Sequence, residues 1–333
     1  MESDPGKEHD MMKRLTILLA ALLLIACRTS GTQESSAQQP EQRTESPAAE
    51  TAAETDPTEE TVVSGVRSDV PELMPVPVEK RFPGKFSDAP EYGERSYKSS
   101  AIDVTIRTYT VENTYAKIAS YHVADLYVKD ATSIRTAAAG GDFGMRYEGP
   151  VKEIAKSVGA LLAIDGDTYT HEKDSFVIRN GVLYRDTPIE NTDICVLYRD
   201  GRMETKAWGT FDVQEIIASD PWQVWGFGPA LLDENGHAME IEHTLSGHNP
   251  RAAIGYYEPG HYCFVIVDGR DHDWSEGMRL SALSRLMEDL GCKAAYNLDG
   301  GDSAQMYWNG EIISKSRNES RVISDIIYLL PEP

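Results

Sequence analysis

Positive charge is what this chain has least of: 32 Lys and Arg stand against 54 Asp and Glu, for a formal net charge of -22. Partners of nucleic-acid backbones present basic surfaces, so no nucleic-acid partner is expected. Cysteine is also scarce, at four in 333 residues. Cys195, Cys263 and Cys292 lie in or beside apolar stretches without zinc-ligand spacing, which makes them buried thiols by expectation. Long apolar runs are missing as well. The apolar run from Leu15 to Ile25 is too short to cross a bilayer as a normal helix. What remains is a chain long enough for one large domain, or two modest ones, with a real hydrophobic core.

The N-terminal region reads as targeting sequence. Residues 1–10, MESDPGKEHD, are polar, and Met11 or Met12 suits initiation better. Lys13 and Arg14 then form a positive n-region ahead of the apolar h-region. The run ends in Leu24-Ile25-Ala26-Cys27, which resembles the lipobox of bacterial lipoproteins. That resemblance implies cleavage before Cys27 and lipidation of it, and hence an exported protein anchored to the membrane at its extracytoplasmic face. An ordinary signal peptide with an incidental cysteine is the alternative. Arg28 to Asp69 is rich in Ser, Thr, Gln, Glu, Ala and Pro and nearly lacks large apolar residues, so a disordered tether is expected there. The expected organisation is a signal peptide over 1–27, a tether over 28–69 and a folded domain over 70–333.

Ordered periodicity begins near Ala101. Ile102, Val104 and Ile106 alternate with Asp103, Thr105 and Arg107, the pattern of a half-buried strand, and YHVADLYVKD is a second strand. Val151, Ile154, Ala155 and Val158 share one helical face, Gly159 can end that helix, and ALLAIDGD follows as a buried strand. Hairpins are expected around Asn180-Gly181 and Asn235-Gly236. The strand HYCFVIVDGR leads to a helix with Leu280, Leu283, Leu286, Met287 and Leu290 on one face, then Gly291 and the strand CKAAYNLDGGD. This is a strand-helix-strand unit whose strands could pair in parallel. A last strand, ISDIIYLL, closes the chain. The expected class is mixed α/β, with mixed sheets flanked by helices and a βαβ unit near the C-terminus.

Asp165, Asp268 and Asp299 each stand where an apolar strand stops and a glycine begins. Asp-Gly often only makes a turn. Three such ends, one inside NLDGGDS, favour chemistry on a shared rim. Paired carboxylates suit glycoside hydrolysis. Asp299 with Asp302, or Asp165 with Asp167, suits equally a divalent cation such as calcium, although no cofactor is required by the pattern. Arg251 and Arg270 flank one strand and carry groups that bind phosphate or carboxylate in bidentate fashion, with pairing to nearby Asp as the structural alternative. His122, near Asp125, is the histidine most worth following. Ser303 and Ser275 do not complete G-x-S-x-G.

From about Tyr121 to Leu330 the chain resembles the phosphodiester glycosidase family. The matching pieces, in order, are AIDGDTY, VIRNGVLYR, GFGPALLDENG, NPRAAIGYY, VDGRDHDWSEGMRL and NLDGGDSAQM. The resemblance implies hydrolysis of a sugar C1–O bond to a phosphodiester, with a carbohydrate phosphodiester as partner. Arg251 and Arg270 would hold the phosphate, and Asp268 and Asp299 would face sugar and water. Asp165 to Tyr169, including Asp167, would wall the pocket, and Asn297, Gly300, Gly301, Asp302 and Ser303 would line its floor. The chain departs from the family pattern at Asp165 (usually Asn), Ala252 (usually Thr), Asp302 (usually Gly or Gln) and Ala304 (usually a hydroxyl residue). A non-catalytic binding protein for surface polysaccharide, or an exopolysaccharide assembly factor, is the alternative function.

Overall fold

A computed structural model describes residues 77–112, 118–242 and 247–332. The expected signal peptide, Cys27 and tether lie outside the described residues. The elements run in chain order from α1 (Val78–Arg81) through β1 (Glu91–Tyr92), β2 (Ser96–Lys98), β3 (Ile102–Glu112) and β4 (Ile118–Val128). Next come β5 (Arg135–Ala138), β6 (Gly149–Pro150), α2 (Val151–Ser157), β7 (Leu162–Asp165), β8 (Ser175–Arg179) and β9 (Val182–Thr187). They are followed by β10 (Ile194–Tyr198), β11 (Met203–Lys206), α3 (Val213–Ala218), β12 (Pro221–Trp225), β13 (Arg251–Glu258) and β14 (His261–Val267). The last are α4 (Leu280–Asp289), β15 (Ala294–Asn297), β16 (Met306–Trp308), β17 (Glu311–Ile312), β18 (Val322–Ile323) and β19 (Asp325–Leu329).

Three sheets organise these strands. One has seven, in the order β1-β2-β3-β4-β14-β13-β15; the others have five each, β11-β10-β12-β8-β9 and β17-β16-β7-β19-β5. A short pair, β18-β6, stands apart. Every strand pairing among the described residues is antiparallel. The fold is therefore dominated by antiparallel sheet, and mixed α/β describes it only in part.

Strand alternation explains how the sheets pack, because successive side chains point to opposite faces. On β14, Tyr262, Phe264 and Ile266 enter a central core with Leu162 and Ile164 of β7 and Cys195 and Leu197 of β10. The intervening Cys263, Val265 and Val267 face α4, which contributes Leu280, Leu283 and Met287. Ala163 of β7 likewise turns outward to Val151, Ile154 and Ala155 of α2. Val196 of β10 turns outward to Ile216 of α3. Each large sheet thus gives one face to a shared core and covers the other with a single helix.

The two Gly-terminated helices close alike. Gly159 and Gly291 adopt φ of 68° and 83°, the left-handed region open to glycine. Beyond them Ala160 N–H donates to Ala155 O and Cys292 N–H to Met287 O, so both helices end in the same glycine-dependent cap. Asn180 and Gly181, both at positive φ, make the expected tight hairpin between β8 and β9.

The turn at Asn235-Gly236 closes a short hairpin: Leu232 bridges Ala238, Asp233 N–H donates to His237 O and Met239 N–H to Leu231 O, and it extends no further because Leu231 N–H is spent on Ala295 O. One expectation is corrected. The strands of the C-terminal crossover do not pair. They run the same way, but β13 lies between them, antiparallel to both, with Gly255 opposite Cys263 on one side and Ala295 on the other.

Candidate active site

The site forms where β7, β14 and β15 end and β13 begins. Arg251 opens β13 opposite Val267, and Leu298 N–H just past β15 donates to Ala252 O. The turn after β15 is then fixed by Asp299 N–H to Gly166 O at 3.1 Å and Gly301 N–H to Pro250 O at 3.0 Å. Of the three expected Asp-Gly ends, those of Asp165 and Asp299 are thereby joined through main-chain hydrogen bonding, while Asp268 N–H donates elsewhere, to Ser120 O.

A pocket of about 310 Å³ opens there. Arg251, Arg270, Asn297, Asp299, Gly300 and Gly301 line it, along with Asn249, Leu280 and Leu298. The facing wall comes from Thr168, Glu172, Ile189, Thr192 and the segment Gly226 to Pro229. Two guanidinium groups, a half-buried carboxylate and a wall that sets Ile189, Phe227 and Pro229 among Thr168, Glu172 and Thr192 make a site for a ligand that is part anion and part neutral ring.

The arginines are held differently. Arg251 is buried, donating from Nε to Met278 O at 3.0 Å and from Nη2 to Gly247 O at 2.6 Å. Burial, then the neighbouring charge of Arg270, lowers its pKa to about 10, so it stays a cation at neutral pH. Arg270 is more exposed and adopts φ of 62°. Its Nη1 donates to Asp302 Oδ1 at 3.1 Å and its Nη2 to Asn249 Oδ1 at 3.2 Å.

Asp299 is the expected acid that reaches the pocket. Its Oδ1 accepts from Gly300 N–H at 2.8 Å, and the Ser303 hydroxyl donates to the same carboxylate. Burial nonetheless raises its pKa, with the two hydrogen bonds and Arg321 opposing the shift. Asn297 donates from Nδ2 to Gly228 O at 2.7 Å, while its Oδ1 is buried without a hydrogen-bond partner.

The other expected acids lie behind this surface. Asp165 is wholly buried, with Oδ1 accepting from Gln305 N–H at 3.2 Å and Oδ2 without a hydrogen-bond partner. Burial and then the charge of Asp299 raise its pKa well above the usual carboxylate range. Asp268 is engaged at both oxygens, accepting from Lys315 N–H at 2.9 Å and Trp274 Nε1 at 2.9 Å, with His122 Nε2 at 3.3 Å. His122 is thereby buried between Asp268 and Thr108. Asp125 lies three positions along the same strand, on the opposite face, and pairs with His261 at 2.7 Å.

Asp167 supports the wall from within. Its Oδ2 sits 2.7 Å from Arg179 Nη2 and accepts from the pocket-lining Gly226 N–H at 3.0 Å. Arg179 is fully buried and also binds Asp325 at 2.8 Å, so one cation ties together the ends of β7, β8 and β19. Tyr169 is buried against the same guanidinium. Asp167 and Asp302 are thus each paired with an arginine. Among the described residues no three or more His, Cys, Asp or Glu converge as a metal site.

Sequence reasoning gave no site role to Glu172, Ile189 or Thr192, and it held Asn249 and Gly226–Pro229 only as parts of the matching motifs. The glycines around Phe227 and the position of Asn249 just before Pro250-Arg251 were available signals. Glu172, Ile189 and Thr192 carry none, since they reach the pocket only through tertiary folding.

Residues 158–330 match the family model described as phosphodiester glycosidase, more than half of the chain. The chain belongs to the phosphodiester glycosidase family. The SPbeta prophage-derived uncharacterized protein YomE of Bacillus subtilis strain 168 is 27% identical over 180 residues, which are 52% of this chain and 28% of that protein. The chain therefore matches under a third of that relative's length. Among solved structures it resembles the catalytic domain of zebrafish N-acetylglucosamine-1-phosphodiester alpha-N-acetylglucosaminidase, auto-inhibited by its pro-peptide. That likeness has a TM-score of 0.56 at 22% identity and covers 73% of this chain and 88% of that one. At that identity the likeness is one of fold.

Proposed function

We propose that this protein hydrolyses the C1–O bond of a glycosyl-1-phosphodiester in a cell-surface glycopolymer or glycoconjugate, from a lipid-anchored position outside the cytoplasm. The observation that carries the reading is that Arg251, Arg270 and Asp299 share one pocket. Arg251 and Arg270 hold the phosphate, and the wall around Ile189 and Phe227 receives the sugar. Water adds to C1 as the C1–O bond breaks, and the phosphomonoester leaves with the bonding electrons. Such a leaving group needs little protonation, so the more useful proton transfer is from the attacking water. Asp299 takes that proton, and its raised pKa makes the ionised carboxylate a better base.

Asn297 and the Gly300–Gly301 backbone form the floor against the substrate. Asp268, with both carboxylate oxygens engaged, acts by fixing the turn that carries Arg270, and His122 holds Asp268 in place. Asp165 supports Asp299 from the interior, while Asp167 and Tyr169 set the facing wall.

The test is release of free sugar from a panel of sugar-1-phosphodiesters, beginning with an α-N-acetylglucosamine ester. Release by the wild type and its loss in Arg251→Ala and Asp299→Asn are expected. Saturable binding with no release from any member would instead favour a polysaccharide-binding role. The anchor is tested separately: a fatty-acid label should enter the wild-type protein and not Cys27→Ser.

A further inference from the structure

Arg270 owes its position to three neighbours. Asn249 accepts from Nη2, Asp302 accepts from Nη1, and Gly301 lies so close beneath the guanidinium that a Cβ there would come within 2.9 Å of Nη2. Of these, only Asp302 carries charge. It does not line the pocket itself; its main-chain oxygen accepts from Gln305 Nε2 at 3.0 Å and Ser316 Oγ at 3.1 Å, which fixes it beside Arg270. The ion pair is only partly exposed, at 40% and 30% of the two side chains.

We propose that Asp302 sets the charge selectivity of the pocket, letting it hold a phosphodiester monoanion while discouraging a phosphomonoester dianion. The proposal rests on the reading of Arg251 and Arg270 as the phosphate site. Under that reading substrate and product differ by one charge: a diester carries one, and a monoester approaches two once its second proton is lost near pH 6. A carboxylate set 3.1 Å from one of two guanidiniums repels each added charge on the ligand. At separations below the Debye length salt screens this only in part. At distances of several ångströms near a protein surface the second charge should cost on the order of tenfold in affinity. Asp302 thereby speeds the exchange of product for substrate without touching either. It is a positioning and selectivity residue rather than a catalytic one.

The experiment is calorimetric binding of methyl phosphate and dimethyl phosphate at pH 8 to the wild type, Asp302→Asn and Asp302→Glu. Asn keeps the size and an acceptor oxygen for Arg270 but loses the charge. Asp302→Asn is expected to bind methyl phosphate on the order of tenfold tighter relative to dimethyl phosphate than the wild type does. Asp302→Glu should keep the wild-type ratio. At pH 5, where both ligands carry one charge, the ratios should converge. A simple packing defect would shift both ligands together and leave the ratio unmoved. An unchanged ratio in Asp302→Asn, or no binding of either anion by any form, overturns the proposal. Sugar release is measured on the same proteins, so a protein that shows the selectivity without turnover keeps this inference and loses the catalytic one.

Discussion

The main-chain N–H of Asp299 donates to the carbonyl of Gly166 at 3.1 Å, so two Asp-Gly strand ends from different sheets are stitched together. The interior Asp165 and the pocket acid Asp299 become electrostatic neighbours through this junction, and the charge of one raises the pKa of the other.

Asp299→Asn should lower kcat by about 10²- to 10⁴-fold, the range for loss of a positioned acid–base group, with little change in KM. The wild-type pH profile should carry an acid limb, with activity rising as Asp299 deprotonates. Because its pKa is raised, that limb should lie above the ordinary carboxylate value of 3.8. A kcat that does not change between pH 4 and 8, or an Asn variant of normal rate, counts against the assignment.

Asp165→Asn should stabilise the protein at neutral pH. The folded pKa of Asp165 is raised above its unfolded value, so its contribution to stability is full below about pH 4. That contribution is lost as pH rises through the folded pKa. Asn cannot ionise, so the variant escapes the loss. A gain on the order of 1 kcal/mol at pH 7.5 that vanishes near pH 4 is expected from denaturant midpoints. Equal gains at both pH values would contradict the argument.

Asp325→Ala should destabilise by about 3–5 kcal/mol, the cost of leaving a buried charge without one of its partners. Arg179 is fully buried between Asp167 and Asp325, and the loss of either carboxylate exposes the imbalance. Thermal melting should fall by roughly 10 °C. A melting point within a degree of the wild type would show that the cluster relaxes freely.

Gly301→Ala should weaken anion binding more than it weakens the fold. Gly301 has φ of 64°, where a side chain costs about 1–2 kcal/mol. The new methyl would also press on the Arg270 guanidinium. Phosphate affinity should drop while the melting point moves by a few degrees only. The reverse ranking, a large loss of stability with normal affinity, would place the strain elsewhere.

Local chemistry was the legible part of this sequence. Alternation in β3, the apolar face of α4, the Asn180-Gly181 turn and the glycine helix caps all follow from spacing and backbone freedom. The cluster of Arg251, Arg270, Asn297 and Asp299 was legible through motifs at strand ends. Pairing between distant strands was not. The crossover at α4 reads as a simple repeat unit because β13 comes earlier in the chain, with nothing in the sequence to show that it inserts. Side-chain direction was equally hidden. Asp268 and Asp299 look alike as sequence, and only the approach of Trp274 and the Lys315 amide turns Asp268 inward.

The antiparallel β13 between β14 and β15 lets one border of a sheet gather the charged groups of the pocket. The flanking strands arrive there with their carboxyl ends, and the turns that follow deliver Arg270 after β14 and Asp299 after β15. The middle strand departs from the same border with its amino end and delivers Arg251 as its first residue. A ligand can therefore meet both guanidiniums and the pocket acid along a single edge. No side chain has to reach across the sheet to complete that set.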